Sequence, residues 1–93
     1  MTTLIGIKKS TRKDKKYMAI FGPNDKKVHF GAKGYEDYTI HHDDKRKDSY
    51  LKRHKVRENW NDPTTAGSLS RYILWNKKSF RASVADYKRR FKF

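Results

Sequence analysis

Aromatic side chains outnumber aliphatic ones in this sequence: six Tyr, five Phe and two Trp stand against 12 Val, Ile and Leu. Aliphatic residues plus Phe account for 17 of 93 positions, against a formal net charge of +14. So little apolar volume under so much charge is the composition of disordered chains. The chain folds only if its aromatics recur at strand or helix spacing and supply the core themselves. Ninety-three residues allow a single small basic domain, 1–93, whose core is marginal without help from a partner. With no cysteine, disulfides, Cys-zinc sites and thiol catalysis are excluded. The longest apolar run is the four residues from Met18 to Phe21, so no transmembrane segment is expected. The start, Met-Thr-Thr-Leu-Ile-Gly, lacks the apolar stretch of a secretory signal, which points to an intracellular chain.

The spacing predicts strands in the first third. Leu4, Ile5 and Ile7 lead into a basic segment, Lys8 to Lys16, and Tyr17 to Phe21 is β-prone. Gly22-Pro-Asn-Asp25 is a turn signal, Lys27 to Phe30 a return strand with Val28 and Phe30 on one face, and Gly31-Ala-Lys-Gly34 a second break. Such a meander needs a helix across one face.

Helices follow. Asp43 to Glu58 reads as one, with Asp43, Asp44 and Asp48 near its start and Lys52, Arg53, Lys55 and Arg57 near its end. That order complements the helix dipole and offers an Asp48–Lys52 pair. Its apolar stripe is narrow: Tyr50, Leu51 and His54. After Trp60, Asp62-Pro63 ends the segment. Ser68 is the candidate N-cap of a short helix through Trp75, with Leu69, Tyr72 and Ile73 at core spacing. Ser79 is the next N-cap. Behind it Phe80, Val84, Tyr87 and Phe91 fall within an arc of about 60° at 100° per residue, a stripe suited to packing on the sheet. The expected fold is α+β: a small N-terminal antiparallel β-meander of two or three strands, then about three helices.

Charge is distributed unevenly because the acids cluster. Residues 1–31 carry net +6, residues 32–62 net +1 and residues 63–93 net +7. The middle can neutralise itself; the two ends need an external anion or water. The candidate anion- or partner-binding residues are therefore Lys8, Lys9, Arg12, Lys13, Lys15 and Lys16 at one end, with Arg81, Lys88, Arg89, Arg90 and Lys92 at the other.

Constellations that would carry chemistry are weak by comparison. His29, His41, His42 and His54 include no i, i+4 pair and have no cysteine to complete a metal set. The acids Glu36, Asp37, Asp43, Asp44 and Asp48 lie in one loop and one helix start, where dipole complementation explains them better than a two-metal nuclease site does. Gly31 to Gly34 lacks the helix-opening context and Lys-Ser/Thr ending of a phosphate loop. Tyr17, Phe21 and Phe30 could form a stacking platform for single strands, but a chain this poor in aliphatics needs them for its core. No catalytic residue, metal or cofactor is expected.

Three stretches carry a resemblance. Val28-His-Phe-Gly-Ala-Lys-Gly-Tyr-Glu-Asp-Tyr38 is similar to an "HFGAKGYxDYT" block, and Arg53-His-Lys-Val-Arg-Glu-Asn-Trp60 to an "RHxxRExW" block. Thr65-Ala-Gly67 with Arg71, Leu74-Trp-Asn-Lys77 and Ser79 resembles "TAGFWSRWLLWNKPS", departing at Ser68-Leu69 and Tyr72, where the block has larger aromatics. Together, over about residues 28–85, these resemble small basic proteins of unknown function encoded by large double-stranded DNA viruses of algae and amoebae. The resemblance implies a viral origin and transfers no catalytic residue. Joined to the charge pattern, it implies a non-enzymatic virion structural protein, a minor capsid component bridging other capsid proteins through their acidic surfaces. The alternative is a DNA- or RNA-binding protein that neutralises or packages the genome. Either would reside in the virion, and in the host cell interior during assembly.

Overall fold

Alternation of apolar side chains builds the sheet. The computed structural model describes residues 2–93. Its chain opens with β1 (Thr3–Lys9), β2 (Lys15–Gly22) and β3 (Lys26–Ala32), antiparallel and side by side in that order. The pairs Leu4–Phe21, Ile7–Ala19–Val28 and Tyr17–Phe30 place the core residues of all three strands on one face. Leu4 and Ile7 are an odd number of residues apart and reach that same face through a register shift between Leu4 and Gly6, which leaves Ile5 57% exposed. The meander thus has three strands, and its first hairpin runs through the basic segment, with only residues 10–14 left as loop.

The helical half comprises α1 (Tyr38–His41), α2 (Asp44–Lys55), α3 (Ala66–Leu69) and α4 (Phe80–Phe91); α3 runs on as a π-helical turn (Ser70–Leu74). Three helical stretches were expected, and the single turn α1 is the addition. Asp37 caps it, accepting the Thr39 N–H at 3.0 Å. Asp43 caps α2, accepting from the amides of Lys45 and Arg46. The Asp48–Lys52 pair forms at 3.1 Å.

Two boundaries differ from those the sequence suggested. α2 stops at Lys55, short of Glu58: the Arg57 amide tightens onto the His54 carbonyl three residues back, and only the Glu58 amide, on that same carbonyl, keeps the four-residue helical spacing. Val56, 83% exposed, has no apolar surface there to reward another turn. At α3 the N-cap is Thr65, whose hydroxyl accepts the Ser68 N–H at 3.1 Å; Ser68 itself is buried within the helix and donates to the Asn59 carbonyl. A buried hydroxyl with an internal acceptor has no need of a helix end. Ser79 caps α4 as its spacing suggested.

The core gathers Ala19, Phe21 and Phe30 from the sheet, Leu69, Ile73 and Leu74 from α3 and its π turn, and Tyr87 from α4. Phe21 and Phe30 are therefore core residues, and Tyr17, half-buried, packs against them. The α4 stripe docks as its period predicts: Phe80 stacks on Tyr17 at 4.7 Å between centroids, and Phe93, just past the helix, meets Phe21 at 5.9 Å. The fully buried Tyr87 donates its hydroxyl to the Pro63 carbonyl at 2.6 Å, tying α4 to the loop before α3. By contrast α2 buries no residue of its own. The i, i+3, i+4, i+7 face of Lys47, Tyr50, Leu51 and His54 is the part of it that is shielded from solvent.

Candidate functional site

Strand pairing and helix direction sort the basic residues into two poles. Lys9 pairs with Tyr17, and Tyr17 stacks on Phe80, so the β1–β2 hairpin (Lys8, Lys9, Arg12, Lys13, Lys15) lies at the same end as Arg81 at the start of α4. Leu4 pairs with Phe21, and Phe21 meets Phe93, so Lys88, Arg89, Arg90 and Lys92 lie at the other end. The 12 residues of α4 separate them by about 17 Å of helix.

Not every one of these cations is available to a partner. Lys16 is drawn inward: its ammonium donates to the buried Asp37 carboxylate at 2.7 Å. Arg12 pairs with Asp14 on the surface, a contact worth well under about 1 kcal/mol. Arg89 and Arg90 both reach Asp86, at 2.6 and 3.3 Å, and Arg90 also lies over the Tyr72 ring. Among the described residues Lys8, Lys9, Lys13, Lys15, Arg81, Lys88 and Lys92 have no carboxylate within 4.0 Å.

Asp86 organises the second pole. It is 5% exposed and takes a further hydrogen bond from Asn76 Nδ2 at 2.6 Å. Burial alone would raise its pKa; the Asn76 hydrogen bond and the two guanidinium groups outweigh that and hold the carboxyl below the usual range. A depressed folded pKa contributes stability that is present above the unfolded value, about 4, and is lost as pH falls through the folded one. Asp86→Asn is therefore expected to flatten the loss of stability between about pH 5 and pH 2, followed by urea unfolding. At neutral pH it is expected to cost about 1–3 kcal/mol. An unaltered acid limb would remove Asp86 from this role.

Between the sheet and α2 lies a cleft of about 750 Å³. Phe30, Gly31 and Ala32 of β3 and Ala66, Gly67 and Leu74 of the α3 segment supply small or apolar lining; Lys15, Lys45, Arg46 and Arg53 supply cations. Glu36 and Glu58 also line it, and Arg46 lies 4.0 Å from Glu36 in a loose, exposed pair. Glu58 stands directly over Gly67, where any Cβ would overlap its carboxylate. Gly31 permits close approach in another way: at φ +81° it adopts a left-handed backbone, and its bare Cα lets Leu74 pack against it.

Aromatic rings hold the α2 wall in place. Tyr50 stacks on Trp75 at 4.2 Å with 3° between planes and on His54 at 4.2 Å with 29°, which occupies both of its faces. Trp75 has Tyr50 on one side and is approached by His41 at 5.3 Å. Burial, reinforced by the Glu58 charge, pushes the Tyr50 hydroxyl up to about 12, so it keeps its proton at neutral pH. Lys47 anchors the helix further, donating to the Asn76 carbonyl at 2.6 Å across the Tyr38 ring. Burial, with Arg71 and Lys77 nearby, lowers its pKa.

The sequence had marked Tyr50 and His54 as a stripe and Lys15 as a basic residue, but not the cleft that they border. The histidines are dispersed. His29 shares a 2.7 Å hydrogen bond with Ser10, His41 accepts from the Asp43 amide, and His54 stacks on Tyr50. Among the described residues no three His, Asp or Glu side chains converge as metal ligands. Among those residues, too, no helix is long and apolar enough to cross a membrane.

A family model described as a family of unknown function (DUF5754) matches residues 5–54, which covers most of β1 through nearly all of α2. No curated protein and no solved structure matches the chain.

Proposed function

We propose that this chain, which belongs to the DUF5754 family of unknown function, is a non-enzymatic virion structural protein. In this reading it is a minor capsid component that bridges neighbouring capsid proteins through their acidic surfaces. The observation that carries the reading is that, among the described residues, cations with no carboxylate within 4.0 Å stand at both ends of α4: Lys8, Lys9, Lys13, Lys15 and Arg81 at one, Lys88 and Lys92 at the other. One pole can hold one anionic surface while the other holds a second, which a one-sided basic patch cannot do. Opposite charge across an interface sets encounter rate and register, and a bridge needs both at each end. The viral setting comes from the resemblance of Val28–Tyr38 and its companion blocks. It puts the chain in the virion, and in the host cell interior during assembly.

The same cations would serve a protein that neutralises nucleic acid, and the exposed ring of Tyr35, 73% accessible, favours that second reading. The two part on experiment. In purified particles stripped of DNA, mass spectrometry is expected to find the chain retained in the shell; its departure with the genome would overturn the bridging role. Duplex DNA titrated at two salt concentrations is expected to bind weakly near physiological salt. Tight binding that weakens steeply with salt would transfer the assignment to the second reading.

A further inference from the structure

Two hydroxyls in the chain follow a pair of basic residues placed three and two positions before them: Thr11, after Lys8 and Lys9, and Ser49, after Arg46 and Lys47. Enzymes that modify hydroxyls choose their substrates by such charge patterns, read along an extended segment against carboxylates of their own. The fold treats the two sites differently. Ser49 lies in the middle of α2, and its neighbours are committed there: Lys47 donates to the Asn76 carbonyl and Tyr50 stacks on Trp75. Laying that stretch out straight would unwind the helix and strip both contacts.

Thr11 stands in the hairpin loop of residues 10–14, where residues 11–14 are all exposed. Lys8 and Lys9 already have the extended backbone of β1, an outer strand paired on one side only. Both are exposed, and among the described residues neither has a carboxylate within 4.0 Å. The adjacent Ser10 hydroxyl is engaged: it shares a 2.7 Å hydrogen bond with His29 Nδ1 and accepts the Arg12 amide at 3.0 Å. Among the described residues the Thr11 hydroxyl has no such partner. An exposed loop tip is also where a second protein reaches the backbone without disturbing the core.

We propose that Thr11 is a phosphorylation site for a protein kinase selective for basic sequences, and that the phosphate switches off this pole. The Thr11 hydroxyl oxygen bonds to the γ-phosphorus of a nucleoside triphosphate as the bridging P–O bond breaks. The hydroxyl proton passes to a carboxylate of the kinase, and the nucleoside diphosphate leaves. The product carries a charge of about −1.5 to −2 among Lys8, Lys9, Lys13, Lys15 and Arg81. Cations that would face a neighbouring protein turn to the phosphate instead. The second pole, about 17 Å away along α4, lies beyond the screening length of about 10 Å and keeps its charge. The site itself stands on the hairpin alone. Its effect rests on the bridging role: one end of the bridge is released while the other stays held.

The test uses the full chain, magnesium-ATP and the catalytic domain of a kinase selective for paired basic residues. Fragmentation mass spectrometry is expected to find one phosphoryl group, on Thr11, and none on the T11V variant. K8Q/K9Q is expected to lower the rate at limiting substrate about tenfold or more, through the lost pairing with the kinase's carboxylates. Incorporation at Ser10, Ser49 or Ser79 in place of Thr11, or an undiminished rate in K8Q/K9Q, would overturn the site. For the effect, the unmodified and phosphorylated chains are compared on immobilised polyglutamate. The phosphorylated chain is expected to elute at lower salt, and T11V at the same salt as the unmodified chain. Equal elution of the phosphorylated and unmodified chains would overturn the switch. Neither result decides the bridging role, which stands or falls on the particle measurement.

Discussion

Phe30→Ala is expected to leave the domain largely unfolded at moderate temperature. Phe30 is fully buried at the meeting point of the sheet and the α3 segment, with the Tyr17 ring 5.9 Å away. Truncating a ring in such a position costs about 3–5 kcal/mol in lost transfer and unfilled volume. Small domains have a total stability near the low end of about 5–15 kcal/mol. The core here has seven fully or nearly fully buried apolar members, so little remains once one is hollowed out. Urea unfolding followed by tryptophan fluorescence would report it. Phe30→Leu should retain most of the stability, and a loss under about 1 kcal/mol for the alanine variant would mean that the core lies elsewhere.

The second large effect is local. Since α2 buries no residue and is stacked on the fold through Tyr50, Tyr50→Ala is expected to release that helix while the sheet, α3 and α4 stay folded. Loss of a partly buried ring with two stacking partners removes about 3 kcal/mol, which corresponds to about a hundredfold fall in amide protection over Asp44–Lys55. Hydrogen exchange resolves the outcome by residue. Uniform loss of protection across the chain would show instead that α2 and the core fold as one unit. The cleft would lose one wall in this variant.

How far the fold was legible follows from the range of each interaction along the chain. The strands and the α4 stripe were visible because Val28 and Phe30, or Phe80, Val84, Tyr87 and Phe91, repeat at the period of the element that buries them. Asp43 and Ser79 act as caps through hydrogen bonds two or three residues away, and such local bonds leave a mark in sequence. Ser68 had the same chemistry, but its hydroxyl turned toward Asn59, nine residues back, and no local rule foresees that. The cleft was invisible for a similar reason. Lys16 meets Asp37 across 21 residues of chain, and Tyr50 meets Trp75 across 25. Lys16 looked like one more surface lysine because its partner is a neighbour only after β2 and α1 are in place. Gly31 was read as punctuation; its left-handed backbone and the close approach of Leu74 depend on where α3 lands.

The π-helical turn at Ser70–Leu74 has a consequence for how this segment can vary. The Trp75 amide reaches back five residues to the Ser70 carbonyl, so the coil holds one residue more than an α-helical turn would. That surplus lets the adjacent Ile73 and Leu74 both face inward before Trp75 reaches Tyr50. Deleting one residue here would restore ordinary helical bonding and leave everything after it in nearly its present phase, because five residues of a π turn and four of an α-helix subtend almost the same angle. Trp75 would still be delivered to Tyr50, but Ile73 and Leu74 would no longer both face inward. The stretch from Ala66 to Trp75 should therefore tolerate the loss of its surplus residue in direction while giving up part of the core, because that one residue is what lets a single turn serve the core and the cleft together.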